Sequence, residues 1–175
     1  MATQYLTKKL TIPFNHYDTD GSKFLEEKDF VDAVTGYANH VGIDIDSTEG
    51  KKMLELELKF WDAVKKFDTD GDDKVSLDEY VKGIEALASE GKLEGILTEY
   101  VNTLVGRLDK DGDGQLTPQE FAVSSYSDEG LEIFKKLDTD GSGHLTKEEL
   151  LKHWMVFFTS NDPSEPGNST FGFVD

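Results

Sequence analysis

The chain has 175 residues, of which 36 are acidic and 18 are basic, so its formal charge at neutral pH is −18. This charge disfavours binding to nucleic acid or to an anionic membrane surface and predicts cationic partners. The sequence contains no cysteine, which excludes disulfides, thiolate metal sites and thiol catalysis. No stretch approaches membrane-spanning length and the N-terminus has no signal-like apolar core, so we expect a soluble, cytoplasmic protein.

Four twelve-residue acidic segments recur along the chain and hold more than half of its acidic residues. They read DTDGSKFLEEKD from Asp18, DTDGDDKVSLDE from Asp68, DKDGDGQLTPQE from Asp109 and DTDGSGHLTKEE from Asp138. Each offers side-chain oxygens at its first, third and fifth positions and a carboxylate at its twelfth, which is the spacing of the EF-hand calcium loop. The segments therefore predict four calcium sites.

We expect each loop to supply five ligand residues, the seventh position acting through its backbone oxygen. The predicted ligands are Asp18, Asp20, Ser22, Phe24 and Asp29; Asp68, Asp70, Asp72, Lys74 and Glu79; Asp109, Asp111, Asp113, Gln115 and Glu120; and Asp138, Asp140, Ser142, His144 and Glu149. The backbone donors in this set are Phe24, Lys74, Gln115 and His144.

The residues that flank the loops predict amphipathic helices on both sides. Apolar or aromatic residues stand directly before each loop and three positions earlier: Phe14 and Tyr17, Val64 and Phe67, Val105 and Leu108, Phe134 and Leu137. Others follow each loop: Phe30, Tyr80, Phe121 and Leu150. The eighth loop residues are Leu25, Val75, Leu116 and Leu145, where paired loops would form short strands. Recurrence in four frames favours calcium loops over chance acidic turns.

The first loop departs from the pattern at two positions. Lys23 occupies the sixth position, where a positive φ is expected at a cost of roughly 1 to 2 kcal/mol for a residue other than glycine. Asp29 is one methylene shorter than glutamate and is expected to bind through one oxygen, although Glu26 at the ninth position could add another. We therefore predict a mixed calcium and magnesium site, the weakest or least selective of the four. A frame shifted back by two residues is rejected because it would place His16 at the first ligand position.

These patterns predict a compact all-α fold with four helix-loop-helix units in two packed pairs. We place the pairs in residues 1–91 and 92–175, with a break at Gly91 and an apolar C-terminal tail packed on the core. The helix after Glu120 must be short, and Ser127 is the predicted N-cap of the helix that leads to Asp138. Asn168, Ser169 and Thr170 fit the glycosylation acceptor pattern, but a polar tail is the favoured interpretation.

With these residues in place, the chain resembles the sarcoplasmic calcium-binding protein family, which includes calexcitin and calerythrin. The resemblance includes a first loop that ends in Asp29, the long stretch 30–67 between the first two loops, and the ending HWMVFFTSNDPSEPGNSTFGFVD. It implies a tail that folds back over the core and buries Phe171 and Phe173.

The favoured function is calcium buffering by a monomer that is not an enzyme. Only three methionines are present against 11 Phe, 6 Tyr and 2 Trp, which favours an aromatic core over a methionine-rich target groove. A calcium sensor that docks a target protein remains an alternative. So does a coelenterazine-binding or photoprotein-like role, suggested by Tyr17, Trp61, Tyr126, His153 and Trp154. Magnesium at the first loop is the other expected ion.

Overall fold

The computed structural model describes residues 3–122 and 130–171, which are mostly α-helical. The first elements are α1 (Gln4–Tyr17), β1 (Phe24–Leu25), α2 (Glu27–His40), α3 (Thr48–Val64), a 3-10 helix (Lys65–Phe67), β2 (Val75–Ser76) and α4 (Leu77–Ser89). The remaining elements are α5 (Leu93–Leu108), α6 (Pro118–Ala122), α7 (Gly130–Leu137), α8 (Lys147–Thr159) and a 3-10 helix (Pro166–Ser169). The predicted all-α class with four helix-loop-helix units is confirmed.

The described residues group into two compact units. One is Leu10–Ala86, and the other combines Thr3–Lys9 with the described residues from Leu87 onward. Helix α4 ends two residues before Gly91, whose φ is +68°, and α5 begins two residues after it. The helices therefore break where the sequence indicated, while the two predicted domain ranges stay a prediction.

Short β contacts join the loops of each unit, as predicted from the eighth loop position. Strands β1 and β2 are antiparallel, with Leu25 opposite Val75, and a single bridge joins Leu116 to Leu145. All four of these side chains are fully buried. Because the strands place the loops side by side, each pair of loops shares one apolar contact at its centre.

The core of the first unit is largely aromatic. The ring of Phe30 stacks on Tyr17 with centroids 4.4 Å apart and lies 5.3 Å from the ring of Trp61. Tyr80 packs edge-on against Phe14 at 5.8 Å and Phe67 at 6.4 Å. Apart from Trp61, these residues flank the loops, so the predicted apolar helix faces contribute to the core.

The core of the second unit is built from the corresponding positions of the third and fourth loops. Its buried residues are Val101, Val105, Leu108, Leu116, Phe121, Ile133, Phe134, Leu137, Leu145 and Leu150. Thr146 is the N-cap of helix α8: its hydroxyl accepts from the N–H of Glu149 while the Glu149 carboxylate accepts from the N–H of Thr146, a capping box. The last loop therefore passes directly into a well-defined helix.

The C-terminal segment of the described chain packs on α8. The ring of Phe171 lies 4.8 Å from Phe157 and 5.2 Å from Trp154, measured between centroids. Asn168 is buried, and its side-chain amide donates to the Asp162 carbonyl at 2.7 Å. The expectation that Asn168 lies in a polar tail was wrong, because this residue is a hydrogen-bonded part of the interior. Ser127 and Phe173 lie outside the described residues.

None of the helices that the structure describes combines the length and apolar character needed to cross a membrane.

Candidate metal centres

The four acidic segments each fold so that carboxylates from distant loop positions converge. The described residues contain four such groups, within which the carboxylate oxygens lie no more than 4.8 Å from one another. The groups are Asp18, Asp20 and Asp29; Asp68, Asp70 and Asp72; Asp109, Asp111 and Glu120; and Asp138, Asp140 and Glu149. Oxygens on opposite sides of a calcium ion, each about 2.3 to 2.6 Å from it, would be about 5 Å apart. The spacing of these groups therefore fits one such ion per loop.

The carboxylate at the first position of each loop is held by the backbone of the sixth residue. Lys23, Asp73, Gly114 and Gly143 donate their N–H groups to Asp18, Asp68, Asp109 and Asp138 at 3.0, 3.1, 2.8 and 3.0 Å. All four donors have positive φ, between 64° and 85°. The prediction of a left-handed sixth residue is therefore confirmed, even where that residue is lysine or aspartate.

The third and fifth positions are oriented by N–H groups two residues further on. The N–H of Ser22 donates to Asp20 at 3.0 Å, and the N–H of Asp113 donates to Asp111 at 3.2 Å. The fifth side chain in turn accepts from the seventh N–H, as in the bond from Gln115 to Asp113 at 2.8 Å. Each loop therefore positions its oxygens by local hydrogen bonds, which reduces the ordering that metal binding requires.

Charge repulsion inside the loops is visible in the second site. The carboxylates of Asp72, Glu79 and Asp68 all raise the pKa of Asp70, with Asp72 contributing most. By contrast, the N–H of Ser22 lowers the pKa of Asp20. Negative charge is thus concentrated where a divalent cation would relieve it.

The twelfth position of loops two to four is held by a Ser or Thr at the ninth position. The hydroxyls of Ser76, Thr117 and Thr146 donate to Glu79, Glu120 and Glu149 at 2.8, 2.8 and 2.9 Å. The backbone N–H groups of the same three residues donate to the same carboxylates at 2.9 to 3.0 Å. This arrangement is a capping box placed at the start of the exit helix, so one motif orients the carboxylate and begins the helix.

Hydrogen bonds to the charged form have a strong effect on the acidity of two of these residues. N–H groups of Thr69 and Ser76 lower the pKa of Glu79 to about 2, and those of Thr117 and Lys110 lower the pKa of Glu120 to about 2. Both groups are therefore ionised across the physiological pH range, as ligands for a hard cation must be.

The first loop differs at its twelfth and ninth positions. Asp29 is only 2% exposed, and burial raises its pKa despite hydrogen bonds from the backbone of Glu26 and from Thr19. Glu26 takes the place of the Ser or Thr found in the other loops, and its carboxylate pairs with the ammonium of Lys74 in the second loop. The ion pair between two loops was missed from the sequence, although the unusual ninth residue was visible.

The structure brings most of the predicted acidic ligands into the four groups of converging carboxylates, but two of them lie outside these groups. Glu79 and Asp113 are not among the three-residue groups of the described chain, although Glu79 faces Thr69 and Ser76 and Asp113 accepts from Gln115. The hydroxyls of Ser22 and Ser142 donate to the carbonyls of Phe24 and His144 at 3.1 and 3.0 Å. In these two loops the fifth side chain and the seventh carbonyl therefore lie side by side. The ligand roles themselves stay predictions.

Two aromatic positions considered for a photoprotein-like role have structural partners. The buried His153 ring lies 2.7 Å from the Leu137 carbonyl, measured at Nε2, and Trp154 contacts the rings of Tyr100 and Phe171. Burial lowers the pKa of His153. Tyr126 lies outside the described residues.

Comparison with protein families identifies EF-hand sequences in both halves of the chain. An EF-hand domain pair matches residues 7–85, an EF hand matches residues 106–123 and an EF-hand domain matches residues 131–153. The matches include all four predicted loops, and together they cover more than half of the chain.

Solved structures share this fold at low sequence identity. Okadaic acid binding protein 2.1 is 21% identical with a TM-score of 0.82, over 100% of this chain and 98% of that one. A sarcoplasmic calcium-binding protein from amphioxus is 19% identical with a TM-score of 0.74, over 99% of both chains. Calcium-loaded apo-aequorin from Aequorea victoria is 19% identical with a TM-score of 0.72, over 93% of this chain and 94% of that one. The resemblance seen in the sequence is thus confirmed at the level of a four-EF-hand fold.

Proposed function

Because this chain belongs to the EF-hand family of calcium-binding proteins, we propose that it acts as an intracellular calcium buffer with four ion sites. The observation that carries the proposal is the set of four converging carboxylate groups, each with oxygens within 4.8 Å of one another. Calcium would neutralise charges that repel at short range, and the loop hydrogen bonds already orient the side chains that would hold it.

The proposed ligands are the five residues predicted in each loop, with the twelfth carboxylate closing the site. The fourth loop offers a matched test of this assignment. Glu149 occupies the twelfth position, while its neighbour Glu148 has the same charge but is an exposed residue in the first turn of α8. We expect Glu149→Gln to remove one of four sites in a calorimetric calcium titration and Glu148→Gln to retain all four. If both variants keep four sites of unchanged affinity, the proposed role of the twelfth residue is wrong.

A buffer is favoured over a target-docking sensor by the distribution of apolar side chains. In residues 3–122 and 130–171, Phe24 and Leu131 are the exposed large apolar side chains, with 36% and 47% of their surface accessible to solvent. They belong to different compact units. A sensor would need calcium to release a contiguous apolar surface.

Two measurements separate these functions. For a buffer, calcium should leave the fluorescence of an apolar dye nearly unchanged, whereas a large increase would favour a sensor. Addition of coelenterazine should produce neither an absorption shift nor light on calcium addition. A positive result in that assay would instead support the photoprotein-like alternative.

The first loop is proposed to accept both calcium and magnesium. The shorter and fully buried Asp29 supports this, because a carboxylate that binds through one oxygen favours a lower coordination number. In a calcium titration at millimolar magnesium, we expect one site to weaken much more than the other three. Equal weakening at all four sites would contradict the assignment.

A further inference from the structure

The ninth position of the first loop is chemically different from the ninth position of the other loops. Ser76, Thr117 and Thr146 each donate a hydroxyl hydrogen bond to the carboxylate at the twelfth position. Glu26 cannot do so when ionised, and its negative charge instead lies near Asp29, with which its backbone N–H makes a 2.8 Å hydrogen bond. The first loop therefore carries an additional carboxylate at its ninth position, and this carboxylate cannot donate a hydrogen bond to Asp29.

Lys74 provides a partner for this additional carboxylate. The Lys74 ammonium pairs with Oε1 of Glu26, and it also lies 5.7 Å from the centroid of the Phe24 ring. The two charged side chains are 42% and 40% exposed, so they are held at the surface where they can separate. The pair thus joins the ninth residue of one loop to the seventh residue of the next.

The strand register explains why these two residues meet. Because Leu25 is opposite Val75 and Phe24 is opposite Ser76, the next positions outward bring Glu26 and Lys74 together. In the second unit Leu116 is opposite Leu145, so the same register relates Thr117 to His144, and this pair cannot form an ion pair because threonine carries no charge. This cross-loop charge contact is therefore particular to the first two loops.

The ammonium of Lys74 also acts on the metal-binding carboxylates themselves. Hydrogen bonds from Ser22 lower the pKa of Asp20 most, and the charges of Lys28 and Lys74 lower it further. The pKa of Lys74 is itself raised first by Glu26 and then by the charges of Asp72 and Asp20. Lys28 acts on Asp20 in the same way, but its ammonium pairs with Asp32. Two lysines thus lower the pKa of Asp20 through their charge, and of these two it is Lys74 that pairs with Glu26.

We propose that Lys74 determines the divalent-ion affinity of the first loop by holding the Glu26 carboxylate out of that loop's ligand set. The inference rests on the proposed calcium-binding role of the first loop. When a neutral side chain replaces Lys74, Glu26 is released and supplies a ninth-position oxygen, either directly or through water. Lys74 can do this without losing its own proposed function, because the seventh residue binds through its backbone carbonyl.

The expected effect is moderate because the ion pair is half exposed. Exposed ion pairs contribute little to stability because solvent screens them, so changes in an equilibrium constant stay within about fivefold. We therefore expect Lys74→Gln to strengthen calcium binding at the first loop by about fivefold. In the Lys74→Gln background, Glu26→Gln should reverse most of that gain, whereas in the wild-type background it should change affinity by less than about twofold.

Site-specific occupancy can be followed through the amide resonances of the glycines at the fourth loop position, which are Gly21, Gly71, Gly112 and Gly141. Calcium is titrated into wild-type protein, the two single variants and the double variant. Lys28→Gln is the charge-matched control, and its effect should be unaltered by Glu26→Gln. In chelator, the same cycle measured by chemical unfolding should show a favourable coupling between Lys74 and Glu26.

Two failures have different meanings. If Glu26→Gln has the same effect with and without Lys74, the lysine acts by charge alone and the inference is wrong while the first site stands. If the Gly21 resonance of the wild-type protein and of Lys74→Gln does not respond to calcium while the other three glycines do, the proposed function of the first loop and this inference both fail.

Discussion

Lys23 shows how far a single loop residue can depart from the preferred type and still adopt the required backbone. Its φ is +69°, and its N–H donates to Asp18 as the corresponding glycines do in the third and fourth loops. A left-handed conformation costs roughly 1 to 2 kcal/mol for a residue with a Cβ atom. The hydrogen bond and the neighbouring turns hold Lys23 in that conformation.

Replacement of Lys23 by glycine should therefore stabilise the protein. We expect Lys23→Gly to raise the free energy of unfolding by about 1 kcal/mol, since the relief of strain exceeds the added entropy of the unfolded chain. The measurement is chemical denaturation at saturating calcium. Lys23→Ala is the matched control, because it removes the same charge but retains the strained φ, and equal stabilisation by both variants would show that charge is the cause.

Lys9 is a second residue whose environment is unusual for its type. It is fully buried, and its ammonium donates to the carbonyls of Val156 and Ser160 at 3.2 and 2.7 Å and to Oδ1 of Asn168 at 2.7 Å. All three of its hydrogens are thus used, and two of the bonds are to carbonyl groups at the C-terminal end of α8, where a cation is favourable. Burial nevertheless lowers the pKa of Lys9 to about 8, opposed by the charge of Glu165.

This pKa predicts a pH dependence of stability with a definite sign. Between pH 8 and the usual lysine pKa of 10.5, the unfolded chain holds a proton at Lys9 that the folded chain releases. The free energy of unfolding of the wild-type protein should therefore rise with pH in this window relative to Lys9→Met, by about 3 kcal/mol in total. Unfolding curves of both proteins at several pH values test this, with the exposed Lys8→Met as control. A wild-type to Lys9→Met difference that is independent of pH would contradict the lowered pKa.

At the scale of an element, Gly83 shows how α4 depends on the residues that precede the second loop. A Cβ atom at Gly83 would lie 2.0 to 2.3 Å from ring carbons of Phe67, the residue directly before Asp68. Phe67 is buried and packs against Tyr80, which lies in α4 together with Gly83. The entering and exiting helices of this loop can therefore approach closely only because position 83 has no side chain.

Gly83→Ala should force Phe67 to move and disturb the second loop. We expect a loss of roughly 1 to 3 kcal/mol in unfolding free energy from overpacking, together with weaker calcium binding that the Gly71 resonance reports. The control is Gly36→Ala in α2, where no atom lies within 4 Å of the added Cβ. That change should be neutral or stabilising by about 0.5 to 1 kcal/mol. If Gly83→Ala behaves like the control, close packing against Phe67 is not what position 83 requires.

At the scale of the whole molecule, charge is the dominant feature. Four bound calcium ions would reduce the formal charge from −18 to −10. Each site occupied at one hundred times its dissociation constant adds about 2.7 kcal/mol to the stability of the folded state. The folded protein should therefore be much less stable in chelator.

Salt should replace only part of the effect of calcium. The carboxylate oxygens of one loop lie within 4.8 Å of each other, which is close to the Debye length of about 4 Å at 0.5 M salt, so salt screens their mutual repulsion only in part. We expect the unfolding midpoint to fall when calcium is chelated and to recover partly when sodium chloride is raised to about 0.5 M, because salt screens repulsion between loops better than within them. Sucrose of equal osmolality is the control. Full recovery in salt, or an unchanged midpoint in chelator, would refute this account of the charge.

Much of the architecture could be predicted from the amino-acid sequence because the calcium loop is a local motif. The oxygens at the first, third, fifth and twelfth positions, the left-handed sixth residue and the apolar eighth residue are all specified within twelve consecutive residues, and the apolar stripes that flank them follow helical spacing. Even the different ninth residue, Glu26, was visible in the alignment of the four segments.

The partners of charged side chains were decided at longer range. Glu26 meets Lys74 only because two short strands pair in one register, and Lys9 becomes buried only because the end of α8 and Asn168 fold around it. No local period marks these residues, since exposed and buried lysines look alike in a sequence. Hydrogen-bonding and desolvation energies depend on which groups from distant parts of the chain surround a charge. The surroundings of Glu26 and Lys9 could therefore be known only from the folded structure.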